Sequence, residues 1–176
     1  MDILSFWFDE IEHNNWWSKD QAFDALIEQK FASIHCAAKR CELFEWRITA
    51  QGRLAEIIVL DQFSRNIYRD KPEAFVNDQL ALALAQEAIL MDADSELSEV
   101  QRSFLYMPLM HSESLAIHAA ADMSFRRHTS ESTYEFEKRH HEIIRRFGRY
   151  PHRNNILGRQ SSPSEIEFLS RVGSSF

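Results

Sequence analysis

A chain of 176 residues, 44% of them apolar, amounts to one domain with a sizeable core. Its 27 acids outnumber its 20 Lys and Arg to leave a net charge of −7, which argues against a general nucleic-acid binder. Four Gly and four Pro are few for a turn-rich β fold, and no uncharged run approaches the roughly 20 residues that span a bilayer.

The apolar start ILSFWF (3–8) is soon followed by Asp9, Glu10 and Glu12, with no basic lead-in and no small-residue cleavage site. A soluble cytoplasmic protein is therefore expected. Ser18 and Gln21 have capping-box spacing and predict a helix with Phe23, Leu26, Ile27, Phe31 and Ile34 on one face. Cys36 and Cys41 are not spaced as CxxC and read as reduced thiols. A short helix over Glu42–Ile48 turns Trp46 inward, and Gly52 breaks the chain. Arg53–Tyr68 is apolar nearly all round, the mark of a helix covered on several sides. Asp70 and Pro72 open an Ala/Leu-rich helix running to about Met91. Ser98 and Gln101 cap the next stretch, Glu99–Arg127, which Pro108 kinks or divides. Glu131–Phe147 ends at Gly148, a natural left-handed C-cap, and Ser162-Pro163-Ser164-Glu165 opens a last helix reaching about Arg171. No linker interrupts residues 1–176, and no strand is convincing. The expectation is one all-α domain of seven to nine helices, with consecutive helices packed as antiparallel pairs.

Charge is distributed unevenly. Lys138–Arg159 holds seven Lys or Arg against one acid, Glu142, so +6 sits on a chain of −7 and the remainder carries −13. Such a segment must meet carboxylates within the fold or face an anion. Its part from Gly148 to Arg159 is dense in donors, among them Arg149, Tyr150, His152, Arg153, Asn154, Asn155 and Arg159. Guanidinium groups there suit bidentate contact with a carboxylate or phosphate, and they equally suit anchoring an irregular loop to buried acids.

Several ionisable residues fall on apolar helix faces. Asp61 and Arg65, four apart, align with Leu54, Ile57 and Ile58. Asp78 aligns with Leu82, Ala85 and Ile89, Glu113 with Leu109, Ala116 and Ala120, and His140 with Phe136, Ile143, Ile144 and Phe147. Buried charges must meet one another or a ligand, so these residues predict a polar cavity between helices or an interlocked structural network. His111 groups with Ser114, His118 and Asp122 on the polar side, unless Pro108 reorients it. No HExxH or facing carboxylate–His pair supports a metal site, and no GxSxG, GxGxxG or phosphate-binding loop is present.

The blocks ILSFWF with Trp16-Trp17, LDQFSRNIYR (60–69), PEAF (72–75) with Asp78, FLYMPLMHSE (104–113) and HHEIIRRFGRYPHRNNILGR (140–159) resemble the bacterial domain of unknown function 924 family. The family pattern has Pro where this chain has Ser64 and Gln where it has His118. The resemblance implies a compact helical array similar to tetratricopeptide (TPR-like) proteins and brings no activity. The family's distinctive positions match Asp61, Arg65, Asn66, Asp78, His111, Glu113, His140, Arg149, His152, Arg153 and Asn154.

The leading expectation is a pocket for a small carboxylate, an amino-acid-like zwitterion or an acidic peptide end. Asp61, Arg65, Asn66, His111, Arg149, His152, Arg153 and Asn154 would bind it, and His140 with Glu113 would exchange a proton. No cofactor, metal, nucleic acid or membrane is expected, and nothing in the sequence sets an oligomeric state. The alternatives are a TPR-like interaction module with a purely structural polar network, or a metal-assisted hydrolase using His111, Glu113 and His140.

Overall fold

The computed structural model describes residues 3–171, 173 and 174. Among the described residues every regular element is helical. No helix is long and apolar enough to cross a membrane.

The N-terminal segment folds as α1 (Ile3–Ser5) and a π-helical turn (Phe6–Glu10) that drives Phe6 and Trp7 into the core. Trp7 packs edge-on to Phe63 and Phe104, with ring centroids 5.5 and 5.7 Å away. Helix α2 (Gln21–Lys39) is capped by Asp20, whose carboxylate accepts the Ala22 and Phe23 amides at 2.8 and 3.3 Å. The cap is thus Asp20 rather than the expected Ser18, because Asp20 directly precedes the first turn and its charge suits the helix dipole. Phe23, Ile27, Phe31, His35 and Ala38 form the buried face of α2, while Leu26 lies outside it.

After a 3-10 turn (Phe44–Ile48), α3 (Ala50–Ile58) is capped by Thr49. Gly52 lies inside α3 and does not break the chain. A Cβ there would stand 2.0 Å from the Trp46 carbonyl oxygen, so only glycine admits this close approach. The predicted helix over 53–68 is not uniform. It passes from α3 through a π-helical turn (Val59–Phe63) into α4 (Ser64–Ile67). The π turn carries Asp61.

A 3-10 turn (Pro72–Phe75) leads to α5 (Asp78–Leu90), which buries Ala81, Ala85 and Ala88 and so packs closely on α3 and α6. Helix α6 (Glu99–Met110) opens with the expected Ser98–Gln101 capping box. Pro108 sits in its last turn, and the chain breaks just beyond, at 111–114, before α7 (Leu115–His128). Helix α8 (Glu131–Phe147) packs back on α7 and ends at Gly148 with φ 68°, the predicted left-handed cap. Residues 148–162 form an irregular connection around a 3-10 turn (Pro151–Arg153), and α9 (Pro163–Leu169) begins with the expected Ser162–Glu165 capping box. A small second core of Ile143, Ile144 and Tyr150, with Phe147 and Phe168, holds this end together.

Candidate functional site

The π turn, the C-terminus of α6, the start of α5 and the basic connection converge on one polar network. At its base lies Asp61, 1% exposed. Its carboxylate meets Arg65 at 3.0 Å, His111 Nδ1 at 2.8 Å and Gln62 Nε2 at 2.5 Å. Burial opposes its charge, but Arg65 and His111 reverse that and hold the carboxyl below its ordinary range. An ionised carboxylate only accepts hydrogen bonds, so the Nδ1 of His111 carries the proton. Burial, reinforced by the charge of Arg65, pushes the His111 pKa down against the pull of Asp61. A neutral ring protonated on Nδ1 leaves a lone pair on Nε2.

Asp78 joins two guanidinium groups. Arg65 reaches it at 3.0 Å and Arg153 at 3.2 Å. Arg153 also donates to the His111 carbonyl at 3.1 Å. Its guanidinium lies between the rings of Phe75 and Tyr150, 4.7 and 4.6 Å from their centroids. Burial and the like charge of Arg65 lower the Arg153 pKa, while Asp78 and Glu113 work against them. The Arg153 Nε is buried without a hydrogen-bond partner.

Glu113, in the turn between α6 and α7, binds the Arg159 guanidinium at 2.7 and 2.9 Å and accepts the Tyr150 amide at 2.7 Å. The anticipated Glu113–His140 pair is not formed. His140 Nδ1 pairs instead with the Phe136 carbonyl at 2.8 Å, one turn back on its own helix. Burial drops the His140 pKa to about 3. His152 also falls to about 3, through burial and the neighbouring Arg153. Three carboxylates (Asp61, Asp78, Glu113) thus face three guanidinium groups (Arg65, Arg153, Arg159), and the network is neutral.

A cleft of about 530 Å³ opens above it. Asp78, His111, Glu113 and Arg153 line its polar side, and Phe75, Leu82, Ile117 and Leu157 its apolar side. Another cleft, about 320 Å³, runs along Phe8–Asn14, where Asp9, Glu10, Glu12, His13 and Asn14 are exposed and no buried charge takes part.

Of the eight predicted binding residues, His111 and Arg153 line the cleft, Asp61 and Arg65 lie in the network beneath it, His152 sits beside the Tyr150 ring, and the other three make contacts elsewhere. Arg149 is paired bidentately with Glu165 at 2.7 and 2.8 Å and ties the connection to α9. Asn66 donates to Asp24 at 2.8 Å, beside Arg69. Asn154 is fully buried, donating to Ser161 and accepting from Arg159. The Arg149 and Asn154 contacts follow from the loop's need for fixed acceptors, which the sequence had left open against ligand binding. His111, Glu113 and His140 do not form a metal cluster, and among the described residues no group of three or more His, Cys, Asp or Glu is placed to hold an ion.

The sequence reading missed a second buried set. His118 is fully buried, with Nδ1 2.6 Å from Glu137 and Nε2 2.9 Å from the Ser112 carbonyl. The Tyr150 hydroxyl lies 3.3 Å from the same Nε2 and donates to the Met110 carbonyl at 2.5 Å. A signal for Glu137 was present: it stands three residues before His140 on the same helical stripe.

The signature of the bacterial proteins of unknown function designated DUF924 matches residues 3–173. The chain belongs to this DUF924 family. A solved structure of a protein of unknown function from Agrobacterium tumefaciens is 37% identical, with a TM-score of 0.90 over 96% of this chain and 94% of that one. No curated protein matches. In this DUF924 protein the family-like blocks 60–69, 104–113 and 140–159 are the segments that supply Asp61, Arg65, His111, Glu113 and Arg153 to the network.

Proposed function

We propose that the cleft binds a small amino-acid-like zwitterion. The observation that carries this reading is the pairing of a two-signed polar wall, Asp78 and Glu113 with Arg153, against an apolar wall in one 530 Å³ space. The network beneath is already neutral. A polyanion entering it would lose hydration with no net positive charge to replace the water. A zwitterion meets both signs: its ammonium suits Asp78 and Glu113, its carboxylate suits Arg153, and an apolar side chain suits Phe75, Leu82 and Ile117.

Thermal unfolding with a panel of amino acids, small carboxylates and nucleotides tests the reading. A ligand that binds only the native state raises the melting temperature by mass action. Apolar amino acids should stabilise, simple carboxylates less so, and nucleotides little. Arg153→Ala should remove the shift, and Arg149→Ala should leave it, since Arg149 is committed to Glu165. Stabilisation by nucleotides and not by amino acids would overturn the choice.

A further inference from the structure

Two features of His111 go beyond binding. Its Nδ1 is fixed by the buried Asp61 carboxylate at 2.8 Å. Its Nε2 makes no hydrogen bond among the described residues, and the side chain is 17% exposed. His111 also lines the cleft. A carboxylate that fixes the tautomer on one ring nitrogen, with a lone pair offered to a cleft on the other, is the arrangement of a general base. Asp61 holds its place through a π turn, a device that recurs at functional sites. Among the described residues no Ser or Cys side chain is hydrogen-bonded to Nε2, so water is the nucleophile considered for it.

We propose that His111 is a general base, positioned by Asp61, that activates water to hydrolyse small aminoacyl esters in this cleft. The substrate class rests on the zwitterion reading, because the free amino acid would be the product. In the first step one O–H bond of water breaks, and its proton goes to the Nε2 lone pair. The water oxygen bonds to the acyl carbon, and the carbonyl π pair moves onto its oxygen as an oxyanion. Arg153, whose guanidinium lines the cleft and bonds the His111 carbonyl at 3.1 Å, supplies positive charge there. The tetrahedral adduct then reforms its carbonyl, the ester C–O bond breaks, and the alkoxide leaves with the proton from His111 Nε2. The amino acid and an alcohol result, and no oxidant or reductant is needed. Asp61 touches no substrate and acts through the ring it orients. His140, His152, Arg65, Asp78 and Arg153 are the other charged or titratable groups around this ring. Their net effect with burial keeps it in the base form near neutral pH.

Leucine p-nitrophenyl ester is the probe, followed by p-nitrophenolate release from the full chain. Wild type should exceed His111→Gln by about 10²–10⁴-fold, the range of general-base catalysis, with a normal solvent deuterium isotope effect. The Gln amide can still donate to Asp61, and circular dichroism checks that the variant folds. Asp61→Asn should lower kcat with little change in KM, and ¹⁵N spectra should show its His111 ring losing the Nδ1–H tautomer. Equal rates in wild type and His111→Gln, no rate above buffer, or a burst of acyl-imidazole without an isotope effect would each overturn the proposal. The parallel amino-acid thermal shift separates the failures. Binding without hydrolysis sinks the dyad alone, and hydrolysis without amino-acid binding sinks only the ligand reading.

Discussion

Replacing Asp61 by Ala probes the base of the network directly. The change removes the 3.0 Å pair with Arg65, the 2.8 Å bond from His111 and the 2.5 Å bond from Gln62. Breaking a buried pair by deleting one partner costs about 3–5 kcal/mol, because the other charge is left without compensation. Arg65 keeps Asp78 at 3.0 Å and is 21% exposed, which puts the cost at the lower end. About 3 kcal/mol in a chain of this length corresponds to a fall in Tm of roughly 6–12 °C. Urea unfolding and thermal circular dichroism at pH 7 measure both. The pH dependence adds a second check. The Asp61 carboxyl is held below its ordinary value of 3.8. Its contribution is therefore present above 3.8 and is lost as the pH falls through the folded value. The difference between wild type and Asp61→Ala should be constant from pH 7 to about 5 and shrink only in stronger acid. A loss under about 1 kcal/mol at neutral pH, well short of the cost of a stranded buried charge, would refute the reasoning.

Acid should destabilise the protein early. His35 and His140 have folded values of about 4 and about 3 against an ordinary 6.5, so the unfolded chain binds their protons first and stability falls as pH drops below 6.5. Each should cost about 2 kcal/mol between pH 7 and 5, and a flat stability profile over that range would contradict their burial as neutral rings. Gly52→Ala should destabilise by about 1–3 kcal/mol in urea titration despite alanine's helix propensity, because its Cβ meets the Trp46 carbonyl. Arg149→Ala should raise hydrogen exchange across 160–171 by releasing Glu165, and unchanged protection there would show that α9 is held by other contacts.

The fold was legible where periodicity and caps agreed. Ser98–Gln101, Ser162–Glu165 and Gly148 marked helix ends because their chemistry is local. The site was legible in part. Asp61, Arg65, Asp78 and Glu113 stood out because charges on apolar stripes require partners, Arg153 because its loop is dense in donors, and the structure brings these five together. The failures around the α6–α7 turn share one cause, which is loss of helical phase. Ala116 and Ala120, expected inward with Glu113, are exposed, while His118, Ala121 and Phe125 are buried. The break at 111–114 resets the phase of α7, and no residue count across a break predicts the new one. The same break turns His111 from the polar side to Asp61. The π turn escaped notice because Arg53–Tyr68 is apolar on every side, so a shift in phase leaves no mark on its pattern.

That π turn explains why the network and the cleft coincide. A regular helix through Val59–Phe63 would place one fewer residue per turn there and swing the following residues by about 100°. Asp61 and Arg65 could still pair, but they could not both keep their present partners on other elements, His111 beyond α6 and Asp78 at the start of α5. Arg47–Glu56, by comparison, ties a 3-10 turn to α3 with bonds of 2.7 Å and involves no π turn. The π turn at Val59–Phe63 carries the carboxylate that pairs with the partly exposed imidazole of His111. Restoring a regular helix by deleting one residue of 59–63 therefore tests its part in the site. Helix content should survive, because the i→i−4 ladder is the more common geometry. The His111 tautomer and the amino-acid-dependent rise in Tm should both be lost. Retention of both in a folded deletion variant would show that the π turn has no part in building the site.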